Sequence, residues 1–380
     1  MNGAPSTAAP ANGMRYQDAG VDVEAGNEAV RQMRAAVEAT HGPEVLAGVG
    51  AFGGLFALGG LQEATPVLVA STDGVGTKTR LAAALGRYDS IGADLVHHCI
   101  DDILVQGARP LFFLDYVATA KLEPARIATV VRGVARACKD WGVALLGGET
   151  AEMPGVYVEG ELDLAGTIVG VVDRDAIIDG GRIEVGDVVL GIGSTGLHTN
   201  GYSLARAIVA GHDLEIARDE LGGQSLGDAL LAEHACYLPE VARLQRGAPE
   251  RGVAPVAIRG LAHITGGGLI DNPPRILPST TAMLLDETCW TAPPIFAWLA
   301  ARGGVARAEQ RRAFNCGLGL LVVVPAADAD RAMDLLAAVE RPGGQRLPAF
   351  RVGVIEPRGE GAPVRFVGDQ DAGAPAQEQR

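Results

Sequence analysis

Short runs of Val, Ile and Leu alternate along this chain with Ala- and Arg-rich stretches whose apolar positions recur every three to four residues. Residues 67–71 form a β-branched run that closes on Thr72-Asp73-Gly74, which predicts a strand entering a loop. Over 91–106, Leu95, Cys99 and Ile103 recur at a spacing of four, with Val96 and Ile100 one step round. That spacing predicts a helix, and Asp101 and Asp102 lie within it. A second apolar run at 111–118 predicts a strand, and 124–141 an amphipathic helix. Ala144-Leu145-Leu146 reads as a strand ending at the turn Gly147-Gly148, and 163–172 as a further strand.

The short charged segment 173–186 marks a boundary between domains spanning 14–174 and 175–357. In the second half, strands are predicted at 187–192, 281–285, 319–324 and 351–355, and helices at 203–210, 294–301 and 327–339. Strands and helices mix in both halves, so the fold class is α/β (α+β), and 380 residues suit two cores better than one. Residues 1–13 and 358–380 are rich in small and polar residues and read as a disordered leader and tail.

Composition narrows the function classes. Nowhere do about 18 apolar residues run uninterrupted, so no membrane-spanning helix is expected. The five cysteines include no Cys-x-x-Cys pair, which fits a reducing cytoplasm. With a net charge of −14 and no basic runs, the chain is a poor partner for nucleic acid or an anionic membrane. Anionic phosphates would have to be held locally, by backbone amides, metal ions and a few placed cations. Lysine occurs only at Lys78, Lys121 and Lys139, so a lysine in a Gly-rich acidic loop stands out.

Five segments carry candidate chemistry. In Ser71-Thr72-Asp73-Gly74-Val75-Gly76-Thr77-Lys78, Gly74 and Gly76 let the backbone approach an anion. Asp73 could hold a divalent ion, Thr77 adds a hydroxyl, and Lys78 is a candidate catalytic cation at a transferring phosphate. The spacing is not that of a P-loop, and an ordinary strand-to-helix turn is the plainer alternative. Asp101-Asp102 is the second segment; adjacent helical side chains point about 100° apart, so only one faces a site, and Asp102 is favoured. His97 and His98 are consecutive, cannot share one face, and are read as surface or core residues.

The third segment, Gly147-Gly148-Glu149-Thr150-Ala151-Glu152, packs glycine and carboxylate into one predicted loop, where Gly147, Gly148 and Thr150 could meet phosphate and Glu149 a cation. The fourth runs from Gly193 through His198, Asn200 and Ser203 into a helix, where an anion could dock. His198 is its candidate general acid or base, a structural histidine being the alternative. The fifth, His263-Ile264-Thr265-Gly266-Gly267-Gly268, allows close backbone contact with a ligand through Gly266 and Gly267, or a tight crossing between elements.

In order and spacing these segments resemble the aminoimidazole ribonucleotide synthetase (phosphoribosylformylglycinamidine cyclo-ligase) family. The similarity takes in Tyr16-Gln17-Asp18-Ala19-Gly20-Val21-Asp22, Phe52-Gly53-Gly54-Leu55-Phe56, Pro110-Leu111-Phe112-Phe113-Leu114-Asp115-Tyr116 and Phe314-Asn315-Cys316-Gly317. It implies ATP-driven closure of formylglycinamidine ribonucleotide to aminoimidazole ribonucleotide, with Mg²⁺ at the phosphates and a homodimer whose N-terminal halves join their strands into a barrel. The related selenophosphate synthetases and thiamine-monophosphate kinases place metal-binding aspartates where Asp73 and Asp102 fall, and His263 stands where the selenophosphate enzymes have a third. The chain departs from the family's usual residues in several places. Ala-Met is usual at His97-His98, Asn at Asp101, Glu at Arg109, and Pro-Thr-x-Ile-Tyr at Glu233-His234-Ala235-Cys236-Tyr237. A kinase-like or selenophosphate-type enzyme, or a non-catalytic nucleotide-binding homologue, are the rival readings. No catalytic cysteine near the N-terminus supports the selenophosphate version, and Asp73, Lys78 and the glycine loops are all retained.

Overall fold

A computed structural model describes residues 20–369. The first half comprises α1 (Val23–Glu38), β1 (Val45–Ala47), β2 (Leu55–Phe56), β3 (Pro66–Gly74), α2 (Lys78–Leu85), α3 (Asp89–Leu104), β4 (Arg109–Thr119), α4 (Pro124–Asp140), β5 (Ala144–Glu152) and β6 (Leu162–Asp173). Its main sheet has the order β3-β6-β4-β5, with β4 and β5 parallel and the other pairs antiparallel. Alternation gives this sheet two unlike faces. Phe113 and Val117 of β4 are buried beneath the helices, whereas Leu68 and Leu114 point outward and are exposed.

The second half comprises β7 (Val188–Gly193), α5 (Tyr202–Val209), α6 (Leu226–Leu230), α7 (Leu238–Arg246), β8 (Gly260–His263), α8 (Gly268–Asp271), β9 (Thr281–Leu285), α9 (Pro294–Gly303), α10 (Arg307–Ala313), β10 (Leu318–Val324), α11 (Ala329–Ala337), β11 (Ala349–Pro357) and β12 (Val364–Phe366). Its sheet has the order β12-β9-β11-β7-β10-β8, and every residue of β10 is buried.

The helix α3 lies between the first sheet and the second half, and every residue from Ile91 to Asp101 is buried. A helix surrounded on all sides needs close neighbours, and α4 approaches it through a glycine on each helix. A Cβ on Gly92 would strike the backbone of Val130, and one on Gly133 would lie 2.7 Å from the carbonyl oxygen of Asp89.

Two expectations need correction. The strand predicted to end at Gly147-Gly148 runs on to Glu152, because pairing with β4 continues through Leu114–Gly147, Asp115–Gly148 and Tyr116–Glu149. Glycine is required at 148 because the Asp115 side chain fills the place of a Cβ. The chain after 358 is not a tail as far as it is described: β12 pairs in parallel with β9, and Val364 and Phe366 are buried. Beyond it, Asp369 binds Arg311 at 2.5 Å. The expected leader, 1–13, and residues 370–380 lie outside the described residues.

Candidate active site

Side chains three, four and seven apart share a helix face, so α3 divides its polar residues between two directions. Asp94, His97 and Asp101 face the segment 233–237 of the second half. Asp94 Oδ1 accepts from the His234 amide at 2.7 Å, and Asp101 Oδ1 from the Tyr237 amide at 2.8 Å. His97 Nδ1 lies 2.7 Å from the His234 carbonyl. His97, Asp101 and the segment 233–237 are thus one contact surface. Asp101 is fully buried, and burial drives its carboxyl well above the usual range.

His98 and Asp102 share the next face and point to the end of β3. There His98 Nε2 lies 2.9 Å from Asp73 Oδ2, and His263 Nδ1 lies 2.9 Å from Asp102 Oδ1. Ser71 Oγ donates to Asp102 Oδ2 at 3.0 Å, and Thr199 Oγ1 is 2.7 Å from His98 Nδ1. One ligand atom from each of Asp73, His98 and Asp102 lies within 4.8 Å of the other two. Burial works against ionising Asp73, but the hydrogen bond and charge of His98 outweigh it and hold the carboxyl below its usual range. The same balance, with His263 as the main partner, holds Asp102 low. Burial takes His263 below its usual value despite Asp102, so that pair is a neutral imidazole donating to a carboxylate.

Three glycine-rich loops meet at this point. Thr77 Oγ1 and Ser203 Oγ are 3.3 Å apart, a Cβ on Gly76 would lie 3.7 Å from the Thr199 carbonyl oxygen, and one on Gly266 would lie 3.5 Å from Asn200 Oδ1. Asn272 pins the third loop by donating to the carbonyls of Thr265, Gly266 and Gly268. Gly267 at φ 91° and Gly76 at φ 54° adopt left-handed backbone that favours glycine. The fold therefore gathers Asp73, Gly74, Gly76, Thr77, Asn200, Gly266 and Gly267 round the ionised pair Asp73 and Asp102.

The remaining expected residues lie elsewhere. Gly147, Gly148, Glu149 and Thr150 line a cavity of about 860 Å³ that reaches across the sheet to Asp115 of β4 and Thr72 of β3, with Phe52 beside it. Glu149 shares the outward face of the sheet with Tyr116, whereas Asp73 is on the helix face, three strands away. At about 4.8 Å per strand, Glu149 cannot share an ion with Asp73 within this chain. At the cavity wall, burial pushes Asp115 up to about 7.

Lys78 and His198 also depart from their expected settings. Lys78 is fully buried, its Nζ 2.6 Å from Asp94 Oδ2 and donating to the carbonyls of Ala232 at 2.8 Å and His198 at 3.1 Å. His198 is fully buried at φ 62°, stacked on His234 with centroids 4.0 Å apart, and burial drives its pKa well below the usual value. Neither side chain offers surface to a ligand in the crevice, so the fold makes both interior supports of the loops. Sequence reasoning missed His98, His234, Ser71 and Thr199 as neighbours of the site. The one signal was that His97-His98 and 233–237 depart from the family pattern together.

A two-layered half carrying the aspartates, followed by a half that supplies the glycine loops, defines a class. The chain matches AIR synthase related protein, N-terminal domain, over residues 60–172, and the C-terminal domain of the same group over 184–364. It is an AIR synthase-related protein. It is 52% identical to the phosphoribosylformylglycinamidine cyclo-ligase of Gloeobacter violaceus over 356 residues, 93% of this chain and 100% of that one. With the same enzyme of Burkholderia multivorans it shares 47% identity over 94% of this chain and 97% of that one. The chain belongs to the phosphoribosylformylglycinamidine cyclo-ligase family, a family of ATP-dependent ligases. Among solved structures, the thiamine-monophosphate kinase of Stenotrophomonas maltophilia shares the fold with a TM-score of 0.63 at 20% identity, covering 90% of this chain and 96% of that one. Hydrogenase maturation protein HypE in complex with ATP has a TM-score of 0.62 at 19% identity, covering 92% and 94%.

Proposed function

We propose that this protein uses ATP to close formylglycinamidine ribonucleotide to aminoimidazole ribonucleotide, releasing ADP and phosphate, in purine biosynthesis. The observation that carries this reading is the ionised pair Asp73 and Asp102 at the meeting point of three glycine-rich loops, in a chain about half identical to cyclo-ligases along nearly its whole length. An amide oxygen is a poor leaving group. Phosphoryl transfer from ATP to that oxygen converts it to a phosphate ester, the neighbouring nitrogen attacks the activated carbon, and phosphate departs. Such chemistry demands alignment of two phosphorylated ligands more than covalent help from the protein.

The residues present fit Mg²⁺: Asp73 and Asp102 offer ionised carboxylate oxygens close together, and Asp73 is exposed to the crevice. When bound, Mg²⁺ would neutralise charge on the transferring phosphate. Backbone amides at Gly74, Gly76, Gly266 and Gly267 would hold anionic oxygens, and Thr77 and Asn200 would orient them. His98 and His263 fix the two carboxylates in place and keep them ionised.

The unit is a homodimer formed through the first sheet. Helices cover one face of that sheet, while the outward face shows Leu68 and Leu114, and among the described residues no strand pairs with the outer edge of β3. Light scattering that finds a stable monomer at micromolar concentration overturns the dimer. The five free cysteines, four of them buried, fit a reducing cytoplasm.

The deciding experiment is an assay with purified protein, ATP, Mg²⁺ and formylglycinamidine ribonucleotide, in which the aminoimidazole product is detected colorimetrically. Product formed in step with ADP is expected. ATP consumption without product points instead to another phosphoryl-transfer enzyme of the superfamily, and inertness towards both ligands to a non-catalytic homologue.

A further inference from the structure

Five of the seven histidines, from four separate segments, gather where α3 meets the second half, and three of them close a triangle. Ring centroids are 5.5 Å apart for His98 and His234, 5.1 Å for His98 and His263, and 5.3 Å for His234 and His263. The rings stand edge to face, at 63°, 66° and 71°. One ring nitrogen of each lies within 4.8 Å of the other two.

The hydrogen bonds on the outer side of the triangle fix which nitrogens carry lone pairs. His263 Nδ1 faces the Asp102 carboxylate, which only accepts, so the proton sits on Nδ1 and Nε2 is left with its lone pair. His234 Nδ1 lies 2.8 Å from the carbonyl of Ala235, with the same consequence. Both Nε2 atoms are buried and have no hydrogen-bond partner among the described residues. His234 and His263 are 1% and 6% exposed, so bulk solvent does not reach those nitrogens. An unpaired polar atom in a buried site is destabilising, and here there are two, side by side.

We propose that His98, His234 and His263 bind one divalent transition-metal ion of the zinc class, at a site distinct from the Asp73 and Asp102 carboxylates. Imidazole nitrogen suits such an ion and does not suit Mg²⁺, which takes oxygen. The contact of Asp102 with His263 is the carboxylate–histidine pairing that orients a ligand imidazole. Three protein ligands leave a fourth position open. Zinc–nitrogen bonds of about 2.0–2.1 Å bring tetrahedral ligand atoms to about 3.3 Å, so the rings close in by roughly an ångström. His98, whose charge helps hold Asp73 ionised, releases one ring proton, together with the hydrogen bond it makes to Thr199 or to Asp73, when it takes the metal. Two of the three ligands are departures from the usual cyclo-ligase residues, His98 in place of Met and His234 in place of Thr.

The test uses the full chain, freed of metal with a chelator and dialysed. It is titrated with Zn²⁺ by calorimetry and with Co²⁺ by visible absorption. One ion per chain is expected, with the intense visible bands of low-coordinate Co²⁺ bound by nitrogen. His234→Asn should weaken binding by about 100-fold or more. His234→Thr, which restores the residue usual in cyclo-ligases, should do the same while circular dichroism shows it folded. His97→Asn should keep full affinity, since its ring nitrogens face the His234 carbonyl and Trp141. No binding by the wild type, or equal affinity in His234→Thr, overturns the proposal. So does a loss of binding in Asp73→Asn that His234→Thr does not share, because the ion would then belong to Asp73, His98 and Asp102. None of these readouts depends on turnover, so the site can fail without the proposed reaction failing, and the reverse.

Discussion

Two aspartates on α3, about two helical turns apart, meet opposite fates. Asp94 is fully buried against Lys78, and the lysine also bridges the carbonyls of His198 and Ala232. Burial still pushes Asp94 up to about 6, with Lys78 offsetting only part of the cost. Asp102 keeps 23% of its side chain exposed, and the hydrogen bonds from His263 and Ser71 hold it ionised. The first pair spends its charge inside the protein, tying the loop after β3 to α3 and to the second half. The second keeps its charge at the crevice, where a ligand can use it. Proximity to a glycine-rich loop therefore does not mark a charge as functional; what decides is whether the fold closes over it.

Removing Lys78 is the severest test of that contrast. Lys78→Ala leaves a buried Asp94 without its partner and should cost about 3–5 kcal/mol in urea unfolding. Replacing both, as Lys78→Met with Asp94→Leu, should recover most of the loss. A Lys78→Ala protein that is fully stable yet inactive would mean that the lysine serves the ligands after all.

At the open pair the expected effect falls on metal instead of stability. Asp73→Asn and Asp102→Asn should each raise the Mg²⁺ concentration for half-maximal activity by about tenfold or more, as befits an ion held by one or two carboxylates. Stability should change by no more than about 1 kcal/mol, the scale of an ordinary hydrogen bond. Asp101→Asn should leave the magnesium titration unchanged, because Asp101 faces Tyr237 on the other side of the helix. If Asp101→Asn is the crippled variant, the assignment of faces on α3 is wrong.

The smallest effect concerns Asp115. Its folded pKa, about 7, lies above the ordinary 3.8, so its contribution to stability is full below about pH 4 and is lost as the pH rises through about 7. Asp94 acts in the same direction, up to about pH 6. Asp115→Asn should therefore melt higher relative to wild type at pH 8 than at pH 4. An equal difference at both pH values would show that Asp115 ionises freely, through water in the cavity.

Much of the site was legible in the sequence because it is locally encoded. The strand into Thr72-Asp73-Gly74, the helix carrying Asp102, and the loops at Asn200 and Gly266 each follow from periodicity and glycine placement within a few residues. Periodicity also separated Asp101 from Asp102 and His97 from His98, since adjacent helical side chains cannot share a face. What it could not supply was the identity of whatever packs against each face. His98 points at Asp73 and His97 at the 233–237 segment only because β3 lies on one side of α3 and the second half on the other. Lys78 and His198 carry the right chemistry for a phosphate site, and only the closure of the second half over them turned that chemistry inward. Glu149 sits beside the expected glycines in sequence, but strand order and the two-residue period of a sheet set it on the opposite face from Asp73. Helix and strand periods are properties of neighbouring residues, whereas burial, strand order and the meeting of His98, His234 and His263 depend on contacts between residues far apart in the chain, which no local pattern contains.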